Sequence, residues 1–563
     1  MRSCAAVLSG LLAATAAAQP SVAAIPALAA RGMVVTEQAL ATRVGVAILR
    51  QGGNAVDAAV AVGYALAVTD PCCGNIGGGG FMLIHHARGG ETFINFRERA
   101  PQRAGKDMFL DGRGNVVPGR STEGWLAVGV PGTVAGLERA RREYGTLTRA
   151  QLMAPAIALA RDGFVLAPGD TDLFGGRLQR FALQAPNVAA DFTDRGAVLQ
   201  AGRRLRQPDL ARTLELIERD GAPAFYRGPI ARQIVAASRR NGGILTLADF
   251  RSYTTEELPP VRCRYRGYTI ISAPPPSSGG TTLCEILSIV DGYPLGRYGF
   301  ASVPAVRLDV EAERRAYADR NTYLGDPDFV TNPVPQLLAP AYIAGQRAAI
   351  GARAGRSADV RGGLGPPEHR QTTHFSIVDG AGNAVALTYT INDSFGAGVI
   401  AGRTGFFLND EMDDFTSKPG VPNLYGLVQG SADAVAPGKR PLSSMTPTIA
   451  LHNGRVAIVA GSPGGSRIIT ITLSVLQNII DYHMNVADAV AAPRFHHQWL
   501  PDDIEVEPNA VAPATRTALR ALGYSFVQRD PWGVAAAIVI DPLTGVRSGA
   551  SDPRRRSGLA LGF

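Results

Sequence analysis

The sequence predicts a layered α/β fold in which sheets are covered by helices. Three observations carry that reading. Apolar residues recur at helical spacing over long stretches, short apolar strands bounded by glycine turns lie between them, and both patterns occur in both halves of the chain. Hydrophobic residues make up 46% of the 563 and charged residues only 18%, which suits a large core and excludes a disordered chain.

From Glu37 to Leu66 the helical spacing is broken only by Gln51-Gly52-Gly53-Asn54, so helices are expected over 37–50 and 55–68 with a glycine turn between them. Strands are expected over 81–85 and 92–96, around Arg88-Gly89-Gly90. Residues 130–260 read as mainly helical, most clearly over 210–218 and 231–240. A strand over 268–272 leads through a proline-rich turn into a helix over 280–290. The stretch 357–371 is polar and glycine-rich, with Pro366-Pro367, and reads as a flexible linker. Directly after it, strands over 373–378 and 384–389 flank the hairpin turn Asp379-Gly380-Ala381-Gly382-Asn383. A further strand is expected over 457–460, and a helix from Ile468 to about Tyr482. No internal repeat is visible.

The start of the chain reads as an export signal. Met1-Arg2 gives a minimal positive end, Val7 to Ala18 is an apolar run too short to span a bilayer, and Ala16-Ala17-Ala18 offers a cleavage site before Gln19. Ala27-Leu28-Ala29 is a second small-residue option, so the signal covers 1–18 or extends to about 30. A periplasmic or secreted location without stable membrane insertion follows. The net charge of +8 raises the question of nucleic acid, but the arginines are scattered, aromatic residues do not interleave with them, and only Arg554-Arg555-Arg556 is dense. A solvated basic surface is the better reading.

The cysteines are Cys4, Cys72, Cys73, Cys263 and Cys284, too few to staple so long a chain and without metal-ligand spacing. Adjacent Cys72 and Cys73 are not expected to bridge each other readily, whereas Cys263 with Cys284 is a candidate disulfide. No metal or organic cofactor is implied.

The junction Gln371-Thr372-Thr373-His374-Phe375 places a hydroxyl where a linker ends and a strand begins. Cutting the Gln371–Thr372 bond would give Thr372 both a nucleophilic hydroxyl and a free α-amine. The reference pKa of such an amine, roughly 7.7–8.0, leaves a useful neutral fraction as general base. Taken alone, a Thr-Thr-His strand start is more often structural. Gly461-Ser462-Pro463-Gly464-Gly465-Ser466 lies between a strand and a helix, where consecutive amides can face an oxyanion. It lacks the Lys-Ser/Thr of a phosphate loop and the spacing of a serine nucleophile elbow. Ser443-Ser444 supplies paired hydroxyls and Glu411-Met412-Asp413-Asp414 supplies carboxylates, and together with a buried arginine they would suit a zwitterion.

These stretches resemble, in order, the γ-glutamyltransferase family of N-terminal-nucleophile hydrolases. Thr372 to Asp379 is similar to the start of that family's small subunit, and Asn409 to Phe415, Lys439 to Met445 and Gly461 to Arg467 are similar to its later motifs. Gly52 to Ala58, Gly74 to Phe81, Arg97 to Pro101 and Pro274 to Gly280 are similar to the large subunit. Similarity runs from about Gly32 to the Ala550-Ser551-Asp552-Pro553 tail.

The resemblance implies a four-layer αββα sandwich built from two fragments of one precursor, 19–371 and 372–563, that stay associated as a heterodimer after self-cleavage. Thr372 would attack its own preceding carbonyl, then the γ-carbonyl of glutathione or another γ-glutamyl compound, passing the group to water or to an amino acid or peptide. Thr390 matches the threonine that hydrogen-bonds the nucleophile, and Gly464 and Gly465 match the oxyanion-hole amides. Arg97 with Ser443 and Ser444 would take the α-carboxylate, and Asn392, Glu411 and Asp414 the α-ammonium. Residues 419–426 resemble a lid loop with Tyr425 as its gate. The vicinal Cys72-Cys73 departs from the family pattern. A glutaryl (cephalosporin) acylase of the same fold is the alternative enzyme, and a catalytically inactive binding protein the alternative outside catalysis. Asp414 argues against the acylase, because an acid there needs a cationic group to pair with.

Overall fold

The computed structural model describes residues 24–360 and 372–563. The export signal, Cys4 and most of the linker with Gln371 lie outside the described residues. Two seven-stranded sheets organise the chain. In chain order their strands are β1 (Ala27–Ala29), β2 (Met33–Thr36), β3 (Gly79–His85), β4 (Glu91–Phe96), β5 (Glu256–Leu258), β6 (Val261–Tyr265) and β7 (Tyr268–Ser272), followed by β8 (Thr373–Val378), β9 (Ala384–Thr390), β10 (Thr448–His452), β11 (Arg455–Gly461), β12 (Ala536–Ile540), β13 (Arg547–Ser551) and β14 (Leu559–Gly562). One sheet has the order β14-β2-β8-β9-β3-β4-β5 and the other β1-β13-β12-β11-β10-β7-β6, with every neighbouring pair antiparallel.

Strand alternation explains how the sheets stack. Met33, Val35, Phe81 and Leu83 pack with Ile271, Ile449, Val459 and Ile538 in a layer between the sheets. The intervening residues Val34, Met82, Ile84, Phe375 and Ile377 face the other way, into a second core with the helices. That core is covered by α1 (Ala39–Arg50), α2 (Ala55–Thr69) and α3 (Thr133–Tyr144). On the far side, α4 (Gly279–Val290), α5 (Val303–Tyr323) and α6 (Ile468–Ile480) cover the second sheet through Ile270, Ala450, Ile458 and Ala537. The layers are therefore helix, sheet, sheet, helix, as expected. Both sheets draw strands from either side of Thr372, so neither fragment would contain a complete sheet.

Local chemistry sets the element boundaries. Helix α1 begins at Ala39 rather than residue 37, because Gln38 is extended and its side chain accepts from the amides of Leu40 and Ala41. Asn54, read as part of a turn, is the N-cap of α2, and its capping box with Asp57 satisfies the first amides of that helix. Helix α6 stops at Ile480, short of Tyr482, and β11 runs longer than 457–460. Residues 27–29, the second signal-cleavage option, form edge strand β1. Among the described residues no helix is long and apolar enough to cross a membrane.

Two sequence readings change. Cys72 and Cys73 do bridge each other, and Cys263 and Cys284 form the second disulfide, with Cα atoms 5.7 Å apart. Adjacency is no bar here because the pair lies in a turn after α2, where the amides of Cys73 and Gly74 both donate to the Asp70 carbonyl. The basic cluster is only partly a solvated surface. Arg555 is buried against Asp70, Arg554 pairs with Glu507 and Asp552, and only Arg556, on Asp172, is exposed.

The glycine run 77–80 is required by close approach. A Cβ on Gly78 would sit 1.9 Å from the carbonyl oxygen of Thr390, with no flexible side chain to yield. Gly78→Ala is expected to destabilise the protein by about 3 kcal/mol or to prevent accumulation of folded chain, read as a lowered denaturation midpoint.

Candidate active site

Pairing of β8 with β9 builds the centre. Thr373 stands opposite Tyr389, so Thr372 at the mouth of β8 meets Thr390 at the end of β9. Their hydroxyl oxygens lie 3.2 Å apart. Beyond β9 the chain winds tightly: Asn392 has φ +73 and Phe395 φ +63. The Asn392 amide donates to the Thr390 hydroxyl at 2.8 Å and its side-chain amide donates to the Asp410 carbonyl at 3.1 Å.

His374 is no base for this hydroxyl. Its ring nitrogens meet the Thr388 and Ser376 hydroxyls at 2.7 and 3.1 Å, and burial lowers its pKa to about 3. It remains neutral at physiological pH.

A narrow cleft opens on Thr372. Of the eleven residues proposed from sequence, ten line it: Arg97, Thr372, Thr390, Asn392, Glu411, Asp414, Tyr425, Ser443, Ser444 and Gly465. Gly464 does not line it directly. It adjoins Gly465 in the turn between β11 and α6, with φ +143 and +57, conformations suited to glycine. That turn leads into the N-terminus of α6, where backbone amides favour negative charge. Tyr425 lies across it, for a Cβ on Gly465 would fall 2.4 Å from the tyrosine ring. The Tyr425 hydroxyl donates to the Asn392 side-chain oxygen, tying the 419–426 loop to the centre.

The cleft is also lined by an ion cluster. The Arg97 guanidinium pairs with Glu411 and with Asp414, lies 3.5 Å from Glu98, and donates to the Pro441 carbonyl at 3.2 Å. Burial would lower Arg97, but the three carboxylates outweigh it and hold the guanidinium above its usual value. Burial also pushes Glu411 and Asp414 above the carboxylate range against the opposing pull of Arg97, and takes Glu98 to about 7. Three buried acidic side chains thus share one arginine.

Sequence reasoning missed Arg320. It projects from α5 into the same cleft, fully buried, and donates to Ser444 Oγ at 3.2 Å, Ser278 Oγ at 3.1 Å and Gln429 Oε1 at 2.5 Å. These hydrogen-bond partners are all neutral, and burial lowers its pKa to about 10. An arginine so held attracts an incoming carboxylate. No local pattern marks it, since Ser278, Gln429 and Ser444, which it meets, lie far from it in the sequence. Ser443 and Ser444 are held beside it by the proline-rich turn: the Ser443 amide donates to the Pro276 carbonyl and Ser278 donates to the Ser443 carbonyl.

Residues 41–562 match the family model described as Gamma-glutamyltranspeptidase. The chain belongs to the γ-glutamyltranspeptidase family. It is 54% identical over 547 residues to the glutathione hydrolase proenzyme of Pseudomonas sp. (strain A14), covering 96% of this chain and 95% of that one. Among solved structures it is similar to a cephalosporin acylase from Bacillus halodurans, with 28% identity, TM-score 0.85 and coverage of 98% and 99%. It is also similar to the γ-glutamyltranspeptidase of Helicobacter pylori, with 42% identity, TM-score 0.57 and coverage of 61% of this chain and 97% of that one. The family fold agrees with the four layers described above.

Arg320→Lys keeps the charge of the neutral-partnered arginine but loses its planar fork. The expected outcome is a rise of about tenfold or more in KM for a γ-glutamyl substrate, with kcat changed by less than about threefold. Steady-state kinetics on the self-cleaved protein checks it.

Proposed function

We propose that the protein is a self-processing γ-glutamyltransferase with glutathione hydrolase activity, cut between Gln371 and Thr372 into fragments that remain one folded unit. The observation that carries the reading is the single cleft in which the Thr372 hydroxyl faces Thr390 and which a cluster of acids and arginines also lines.

The chemistry follows from those groups. Thr372 has its hydroxyl against Thr390 and, once cut, its own amine to take the proton. It attacks the γ-carbonyl, the amides of Gly464 and Gly465 receive the oxyanion, and the amine proton passes to the leaving nitrogen. A γ-glutamyl ester on Thr372 results. Water releases glutamate, or an amino acid or peptide amine takes the group. The same attack on the carbonyl of residue 371 accounts for maturation, since it converts that peptide bond to an ester that water opens.

The γ-glutamyl group carries an ammonium and a carboxylate on its α-carbon. Its ammonium would stand against Glu411, Asp414 and Asn392, completing the charge of the acid-rich cluster. Its carboxylate would meet Arg97, Arg320 and the Ser443 and Ser444 hydroxyls. A substrate lacking the ammonium leaves buried acids unpaired, and that penalty is the basis of specificity. The similarity to a cephalosporin acylase over nearly the whole chain favours a glutaryl acylase as second reading. Asp414 opposes it in this reading, because an acid there would pair with the α-ammonium that a glutaryl group lacks.

Thr372→Ala is expected to remain one uncut chain and to lose hydrolysis of a γ-glutamyl anilide by at least about 10³-fold. Gel analysis and N-terminal sequencing check it. Cleavage before residue 372 in that variant would remove the hydroxyl from the processing step.

A further inference from the structure

The bridged pair Cys72–Cys73 takes no part in the chemistry above, yet buried charges connect it to the strand that carries Thr372. Both cysteines are about 1% exposed. The Cys72 carbonyl accepts from the amide of Phe395 at 2.9 Å, in the tight turn that also holds Asn392. Cys72 Sγ lies 3.2 Å from Asp70 Oδ1 and 3.7 Å from the Arg555 guanidinium. Arg555 donates to Asp70 and stands 4.0 Å from Glu37 Oε2. Glu37, fully buried, accepts the His374 amide on Oε1 at 2.9 Å. Strand β2 pairs with β8 only from Ser376 onward, so at His374 the Glu37 carboxylate takes the place of a strand partner, two residues from the nucleophile.

We propose that Cys72–Cys73 is a thiol–disulfide exchange site for a small dithiol reductant, and that its redox state reaches the Thr372 strand through Asp70, Arg555 and Glu37. The proposal rests on Thr372 as nucleophile. In the exchange, the dithiol gives two electrons and two protons: its own sulfurs close into a cyclic disulfide, the Cys72–Cys73 bond breaks, and each cysteine leaves as a thiol. In the bridged state one guanidinium serves two buried carboxylates, whose burial holds both above the usual carboxylate range while Arg555 opposes it. After reduction the Cys72 thiol donates to Asp70. Arg555 is then redistributed between Asp70 and Glu37, and the hold on the His374 amide changes with it. Opening the ring also frees the turn beneath Phe395. Asp70, Cys72 and Cys73 could together hold a metal ion, but the Arg555 guanidinium already stands where the cation would, which favours thiol exchange.

The test uses the self-cleaved protein with and without prolonged incubation in dithiothreitol, since both sulfurs are buried. Alkylation after denaturation, read by peptide mass, is expected to find no free thiol at Cys72 or Cys73 before treatment and two after it. Over the same course kcat for a γ-glutamyl anilide is expected to fall about tenfold, with KM nearly constant. The response should persist in Cys263→Ser/Cys284→Ser and vanish in Cys72→Ser/Cys73→Ser. Glu37→Gln keeps an acceptor for the His374 amide but removes the charge facing Arg555, so its kcat should no longer respond. Arg555→Lys serves if that variant fails to fold. Free thiols at Cys72 and Cys73 before treatment, full kcat in the reduced wild type, or a wild-type response in Glu37→Gln would each overturn the proposal. An untreated enzyme without γ-glutamyl activity would instead overturn the Thr372 reading, while the alkylation result still reports on the pair.

Discussion

The antiparallel pairing of β8 with β9 is the constraint on which the rest depends. It puts Thr372 at the open end of a central strand, opposite Thr390, with the glycine run of β3 behind it. A nucleophile in a loop would have to be ordered for each turnover. Here the sheet orders it, and the cost of placement is met by folding. The position also explains why fragments cut before Thr372 would have to stay together. The nucleophile's strand has β2 of the large fragment on one side, and β9, its other neighbour, pairs onward with β3 of that fragment. Separation would strip both faces of the central hairpin.

Around that fixed point the electrostatics are those of a site built for a zwitterion. Three buried acids crowd Arg97, and Arg320 hydrogen-bonds only to neutral groups. Each imbalance is costly in a low-dielectric interior. A ligand with an ammonium and a carboxylate on one carbon relieves both. The 419–426 loop and the Gly464-Gly465 turn belong to the same arrangement, because Tyr425 touches Asn392 on one side and Gly465 on the other. Under the proposed function, access to the ester and recognition of the ammonium would share a residue.

Much of this was legible in the sequence because it depends on short patterns. A layered α/β fold follows from short apolar strands such as 81–85 and 373–378 lying between helices, whereas the αββα order and the oxyanion role of the glycine pair came with the family resemblance. Thr372, Arg97 and Asp414 were found through motifs that sit in order along the chain. What could not be read depends on contacts across great sequence separations. Arg320 gains its meaning only when Ser444, 124 residues away, is beside it. Cys72 and Cys73 read as unbridged because spacing says nothing about the turn that holds them, and the Arg554-Arg555-Arg556 cluster read as surface because Asp70 and Glu507, which hold Arg555 and Arg554, lie far off in sequence. Capping displaced the start of α1 for a local reason, since the side chain of Gln38 accepts from the first helical amides and holds its own backbone extended.

The central claim is that Glu411 and Asp414 recognise an α-ammonium in the cleft that opens on Thr372. The most direct measurement compares kcat/KM of the self-cleaved protein on γ-glutamyl and glutaryl anilides, which differ only in the α-amino group. The account predicts a preference of at least about 10³-fold for the γ-glutamyl compound, the scale on which a site with buried polar groups rejects an analogue that leaves them unpaired. Equal rates, or a preference for the glutaryl compound, would contradict it and move the protein to the acylase side of the fold.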